Sequence, residues 1–167
     1  MFLDYLCLII PITMYQTLLI LHSINRWLVI ISLIYGIFLA AGGLRSNRIF
    51  SASDNRIRHL SATISHIQLL IGLSLYMISP IVKFQMADAV STEIFSEHTF
   101  YRFVHIGLMA VSVVLITIGS AKAKRTETSR LKFRTMLIWF SIALLIILVA
   151  IPWPFSPLAS RPYFRPF

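Results

Sequence analysis

The sequence predicts an all-α integral membrane protein, an up-down-up-down four-helix bundle. Two observations carry that expectation. The chain holds four apolar runs, about 15–42, 57–81, 101–120 and 133–151. A helix rising ~1.5 Å per residue needs about 20 such residues to cross a hydrocarbon core of ~30 Å. In addition, 57% of the 167 residues are hydrophobic and 13% are charged, too little polar surface to cover a water-soluble domain of this size. The runs lack the alternation of barrel strands, and an open sheet cannot satisfy its backbone in lipid, so helices are the spanning elements and the lipid bilayer is the first partner.

Residues 1–13 are apolar but short. With Asp4, Pro11, no basic n-region and no small-residue cleavage site, they make a poor signal peptide. They read either as an outer extension of the first helix bent at Pro11 or as a misassigned start, with Met14 as the natural one. Cys7 is the sole cysteine, so an internal disulfide or a cysteine cluster is excluded. Gly42-Gly43 closes the first span, and Ser53 or Asp54 is expected to cap the second. Ser79-Pro80 ends that span. The acidic loop Gln85 to Glu97 suits a short segment lying on the membrane, with Ile94, Phe95 and Phe100 turned inward. The third span is expected to close at Gly119-Ser120. The fourth stops at Ile151-Pro152-Trp153-Pro154-Phe155, where two prolines forbid further helix and the aromatics suit the interface. Residues 14–155 therefore form the transmembrane domain and residues 156–167 an outer tail.

The net charge of +9 is distributed as membrane topology requires and does not point to nucleic acid. Arg45, Arg48, Arg56 and Arg58 lie between or at the facing ends of the first two runs, and Lys122, Lys124, Arg125, Arg130, Lys132 and Arg134 between or at the facing ends of the last two. These four and six make ten of the fifteen basic residues. Lys83, Arg102, Arg161 and Arg165 lie on the other side, diluted by Asp4, Asp88, Glu93 and Glu97. Short basic loops stay cytoplasmic, which puts both termini outside.

Histidine is the residue through which this chain can ligate a transition metal, since no acidic side chain lies inside a span. His59 falls at the cytoplasmic edge and His98 in the outer loop, where both read as solvated. His22, His66 and His105 fall inside spans, where a polar side chain is costly and turns to the bundle interior. Counting from the outer ends, His22 is about seven residues deep and His105 four to seven, roughly 6–10 Å below the surface. The two are level, on helices that stand on a diagonal of the bundle, where two axial ligands of one iron would stand. His66 counts to near the midplane. Arg26, one turn below His22, needs an anion or carbonyl partner, and a haem propionate would match its planar fork. Arg102, one turn above His105, is a second candidate for a propionate. The plainer readings are that Arg26 caps backbone carbonyls and that Arg102 snorkels to head groups. Asn25, Tyr35, Ser65, Gln68, Ser74 and Tyr76 suit a quinone pocket or bonds across helices, the latter being the simpler role. Gly36, Gly72 and Gly107 allow close approach.

The run Leu21-His22-Ser23-Ile24-Asn25-Arg26-Trp27, the stretch His66-Ile67-Gln68-Leu69-Leu70-Ile71-Gly72-Leu73 with Tyr76 and Ser79-Pro80, the His105 region with Met109, and the closing Ile151-Pro152-Trp153-Pro154-Phe155 resemble a small bacterial membrane family labelled cytochrome B. The resemblance runs from about Met14 to Phe155. It implies a four-helix protein of the bacterial inner membrane that binds haem b, with His22, His66 and His105 as the matching histidines. No Cys-x-x-Cys-His occurs, so covalent attachment is excluded. Two functions follow as expectations. In the first the chain is an electron-transfer module, with His22 and His105 as ligands, Arg26 or Arg102 on a propionate, and His66 replacing one ligand or serving a quinone or second haem. A quinol and a membrane redox complex are then its partners. In the second it is a cofactor-free accessory subunit of a larger membrane complex.

Overall fold

The fold is described from a computed structural model that covers residues 2–79 and 99–155, with side chains from Thr13 onward. Four helices long and apolar enough to cross a membrane make up the fold, and no strand occurs among the described residues. Helix α1 is Phe2–Arg45, α2 is Ala52–Ile78, α3 is Ile106–Arg125 and α4 is Ser129–Ala150; a π-helical turn, Phe100–His105, leads directly into α3. Each helix packs against its two neighbours, α1 on α2 and α4, and α3 on α2 and α4, so α1 and α3 stand on a diagonal. This is the four-helix architecture expected from the hydropathy pattern. The acidic loop with Ile94 and Phe95, the charges Lys83, Asp88, Glu93 and Glu97, and the tail 156–167 lie outside the described residues. Phe100, expected to turn inward, is buried.

Several boundaries differ from expectation for local reasons. Helix α1 begins at Phe2 and includes Pro11, so residues 2–13 extend the first helix, one of the two readings offered for them. Helix α2 begins earlier than the apolar run because Ser51, not Ser53 or Asp54, is its N-cap. The Ser51 hydroxyl accepts from the Asp54 N–H at 3.2 Å, and the Asp54 carboxylate accepts from the Ser51 N–H at 2.8 Å, a reciprocal pair worth about 1 kcal/mol. Arg48 then closes on Asp54 with two bonds of 2.5 and 2.6 Å. Helix α3 continues past Gly119-Ser120 to Arg125, and α4 begins at Ser129 behind a Thr128 cap. The loops are correspondingly short, and most of the basic residues assigned to them sit on the first or last turns of helices. Asn47, in the turn after α1, takes a left-handed conformation with φ of 49°, which short polar side chains tolerate.

The half of the bundle nearest these two loops, the basic end, is filled solid. Leu33, Ala40, Ile116, Ala123, Phe133, Phe140 and Ala143 have no exposed surface. Phe133 lies flat against Gly43, where a Cβ would come within 2.5 Å of the ring, and Phe50 tilts onto Phe133 with centroids 5.0 Å apart. The Phe50 N–H donates to the Ser129 hydroxyl at 3.0 Å, tying one loop to the other. Outward faces carry large apolar side chains such as Phe38 and Val149, 72% and 77% exposed, as a lipid-facing surface does.

Gly119 is the tightest point between α3 and α4. A Cβ there would lie 2.3 Å from Trp139 Cβ, an atom too close to its own backbone to swing away, whereas one on Gly107 would meet nothing within 4 Å. Gly119→Ala is therefore expected to destabilise the bundle by about 1–3 kcal/mol. Gly107→Ala should leave stability unchanged or raise it by up to ~1 kcal/mol. Thermal unfolding of the two variants in detergent checks this, and equal midpoints would contradict the close contact.

Candidate functional site

Beyond the solid half the four helices part around a cavity of about 190 Å³, measured as the space open to the centre of a water molecule. One water needs roughly 10–15 Å³ on that measure, so the space is an order of magnitude larger than a hydration defect. Leu69, Met109, Val113 and Ile147 make much of its wall apolar, and His22, Arg26, Gln68, Tyr101 and His105 bring polar atoms to it.

The two histidines meet from the diagonal helices, His22 on α1 and His105 at the end of the π turn, with ring centroids 6.4 Å apart and planes at 62°. An imidazole nitrogen stands about 2 Å from a transition metal and the ring centre roughly 1 Å behind it, so two imidazoles on opposite sides of one ion have centres roughly 6 Å apart. The separation of the two rings is thus the one that a single metal ion between two neutral imidazoles would require. Among the described residues no third His, Cys or carboxylate joins the pair.

Each histidine is oriented by identifiable features. Ala150 is four residues before Pro154, which has no N–H to return to its carbonyl. That carbonyl bonds instead to His105 Nδ1 at 2.8 Å. A carbonyl only accepts, so Nδ1 carries the proton and Nε2 keeps its lone pair, the tautomer a metal requires. Pro152 likewise leaves Leu148 without its helical donor, and the Trp153 indole Nε1–H donates there at 2.7 Å. The π turn adds a residue to the turn before α3, a distortion frequent at functional sites. Phe100 and Tyr101 flank the His105 ring at 5.8 and 5.9 Å. On the opposite wall His22 lies against Gly72, where a Cβ would come within 3.3 Å of its Cε1. Its Nδ1 is buried without a hydrogen-bond partner, so the imidazole is not committed to the protein's own bonding network. The backbone beneath is fixed: Gln68 Nε2–H donates to the His22 carbonyl at 3.0 Å, and Asn25 Nδ2–H donates to Gln68 Oε1 at 2.9 Å and to the Ile64 carbonyl at 3.2 Å. Asn25 and Gln68 therefore join α1 to α2, the simpler of the roles expected for them.

Of the other expected site residues, Arg26 lines the cavity one turn below His22. Arg102 does not: its guanidinium lies over the exposed Phe103 ring, 5.3 Å from the centroid. His66 is not brought to the pair either. It is exposed, projects into the crease between α2 and α3, and bonds through Nε2 to the Thr117 hydroxyl at 3.0 Å. Its neighbour Ser65 takes the inward direction that His66 was expected to have, because successive helical residues are ~100° apart. His59 borders the same crease, and His98 lies outside the described residues. Sequence reasoning missed the Ala150 carbonyl and Tyr101. The first had a readable signal in Pro154, and the second had none beyond its helical spacing from His105.

Comparison of the chain with protein-family models, curated proteins and solved structures finds no match.

The His105–Ala150 bond makes a statement that needs no cofactor. In ¹⁵N-histidine spectra of the protein without added cofactor, His105 is expected as the neutral Nδ1–H tautomer, and a dominant Nε2–H form would contradict the geometry.

Proposed function

We propose that the chain is a b-type cytochrome, an electron-transfer protein that holds non-covalent haem b between His22 and His105. The observation that carries this reading is the facing imidazole pair, 6.4 Å between centroids, with one ring held in the metal-binding tautomer and the other left uncommitted inside an apolar cavity. When bound, haem supplies a one-electron carrier whose potential is set by its axial ligands, burial and nearby hydrogen bonds. The chain's own residues account for the rest. His22 and His105 ligate, the Ala150 carbonyl holds the His105 proton, Arg26 offers its fork to a propionate, and Leu69, Met109 and Val113 exclude water. His66 and Arg102 take no part in holding the group. The resemblance noted in the sequence supports the same reading.

The charge pattern supports a setting with the basic end cytoplasmic and the cavity toward the outer face, and the resemblance supports the bacterial inner membrane. A membrane quinol is the lipid-soluble donor or acceptor suited to a carrier buried there, and a redox complex the partner at the surface.

The deciding experiment is the visible spectrum of purified protein, oxidised and then reduced, for wild type and variants. His22→Ala and His105→Ala should each lose most of the haem while still inserting in the membrane, and His66→Ala should retain it. Full retention in both of the first two would remove the proposed ligands. Arg26→Gln should lower the midpoint potential by on the order of tens of millivolts, because a nearby positive charge favours the reduced state. Separately, a periplasm-dependent reporter fused after Phe155 should be active, and activity confined to a cytoplasmic reporter would invert the orientation.

A further inference from the structure

At the basic end the crease between α2 and α3 holds a cation that the haem reading does not use. Arg58 was expected among the basic charges of a short cytoplasmic loop, yet it is only 5% exposed. Its guanidinium donates to Asn55 Oδ1 at 3.1 and 2.9 Å, to the Ser120 carbonyl at 2.9 Å and to the Ser120 hydroxyl. Every one of these partners is neutral. The carboxylate nearest in sequence, Asp54, one turn before Arg58, is already held by two bonds from Arg48. A buried charge with neutral partners pays its desolvation without the return of a counter-charge. Arg58 borders an open crease with His59, Thr63, His66, Thr117 and the exposed Lys124. Ala62, Ala121 and Ser120 keep that crease open by being small, and α2 and α3 are the least closely packed neighbours in the bundle.

We infer that this crease binds one anionic phospholipid, its phosphate at Arg58, His59 and Lys124 and an acyl chain running toward Thr117. Charge complementarity names the occupant. The rim is cationic, the crease continues into the lipid-facing surface, and the seven residues from Lys124 to Thr117 give about 10 Å of depth for a chain. Basic pockets between membrane helices are suited to anionic head groups. The inference stands apart from haem binding and is tested without it.

Purified full-length protein, stripped of lipid in detergent, is titrated with dioleoyl phosphatidylglycerol or dioleoyl phosphatidylcholine. Native mass spectrometry and the thermal midpoint are the readouts. One phosphatidylglycerol should be retained in preference to phosphatidylcholine and should raise the midpoint. Lys124→Gln should weaken retention about fivefold, and Arg58→Gln more, while Arg45→Gln at the same end should leave it unchanged. If Arg58→Gln fails to fold, Lys124→Gln decides alone. Equal retention of the two lipids would overturn the site. So would an equal loss in Arg45→Gln, which would mean a diffuse surface potential. Full reproduction of the stabilisation by inorganic phosphate would mean a free-anion site and likewise overturn the lipid.

Discussion

Inside a bilayer a carbonyl without a donor has no water to turn to, and the end of α4 is organised by that constraint. Prolines at 152 and 154 strip the helical donors from Leu148 and Ala150, and both carbonyls are claimed by side chains, one by Trp153 and one by His105. The stop signal of a helix thereby becomes the device that fixes an imidazole on a different helix. Trp153 in turn meets Trp27 edge to face, 6.2 Å between centroids, which joins the end of α4 to α1 one turn below His22. The two histidines are thus coupled through the packing of the α4 terminus.

The two halves of the bundle divide the work. At the basic end small residues let large rings interlock, Gly43 under Phe133 and Gly119 under Trp139, and the Ser51–Asp54–Arg48 cluster fastens the α1–α2 turn. The frame this makes positions the other half, where the walls can stand apart around the cavity. Val29, Val113 and Ile147 belong to both halves: they are buried in the core and also form cavity wall.

Much of this was legible in the sequence because a membrane imposes length and depth. Four apolar runs fixed the helix number, and counting residues from the outer ends put His22 and His105 level on opposite helices, where they meet. Direction around a helix was less legible. His66 and Ser65 differ by one residue, and hydropathy in a span that is apolar on all sides does not say which of them points inward. Arg58 is a second case. Its neighbours in sequence are charged and polar, but its phase turns it toward Ser120. The Ser51 cap was passed over because Asp54 looked like a cap itself, when it is the reciprocal third residue of the capping pair.

The π turn before α3 carries a consequence for how this region can change over time. Because it holds one more residue than an α-helical turn would, the aim of His105 depends on the count of residues preceding it and not only on their kinds. Substitutions across Phe100–Val104 that keep the ring contacts can accumulate with the imidazole still facing inward. Loss of a single residue there would rotate it by ~100° toward lipid. Insertions and deletions, more than replacements, are therefore what this segment cannot absorb.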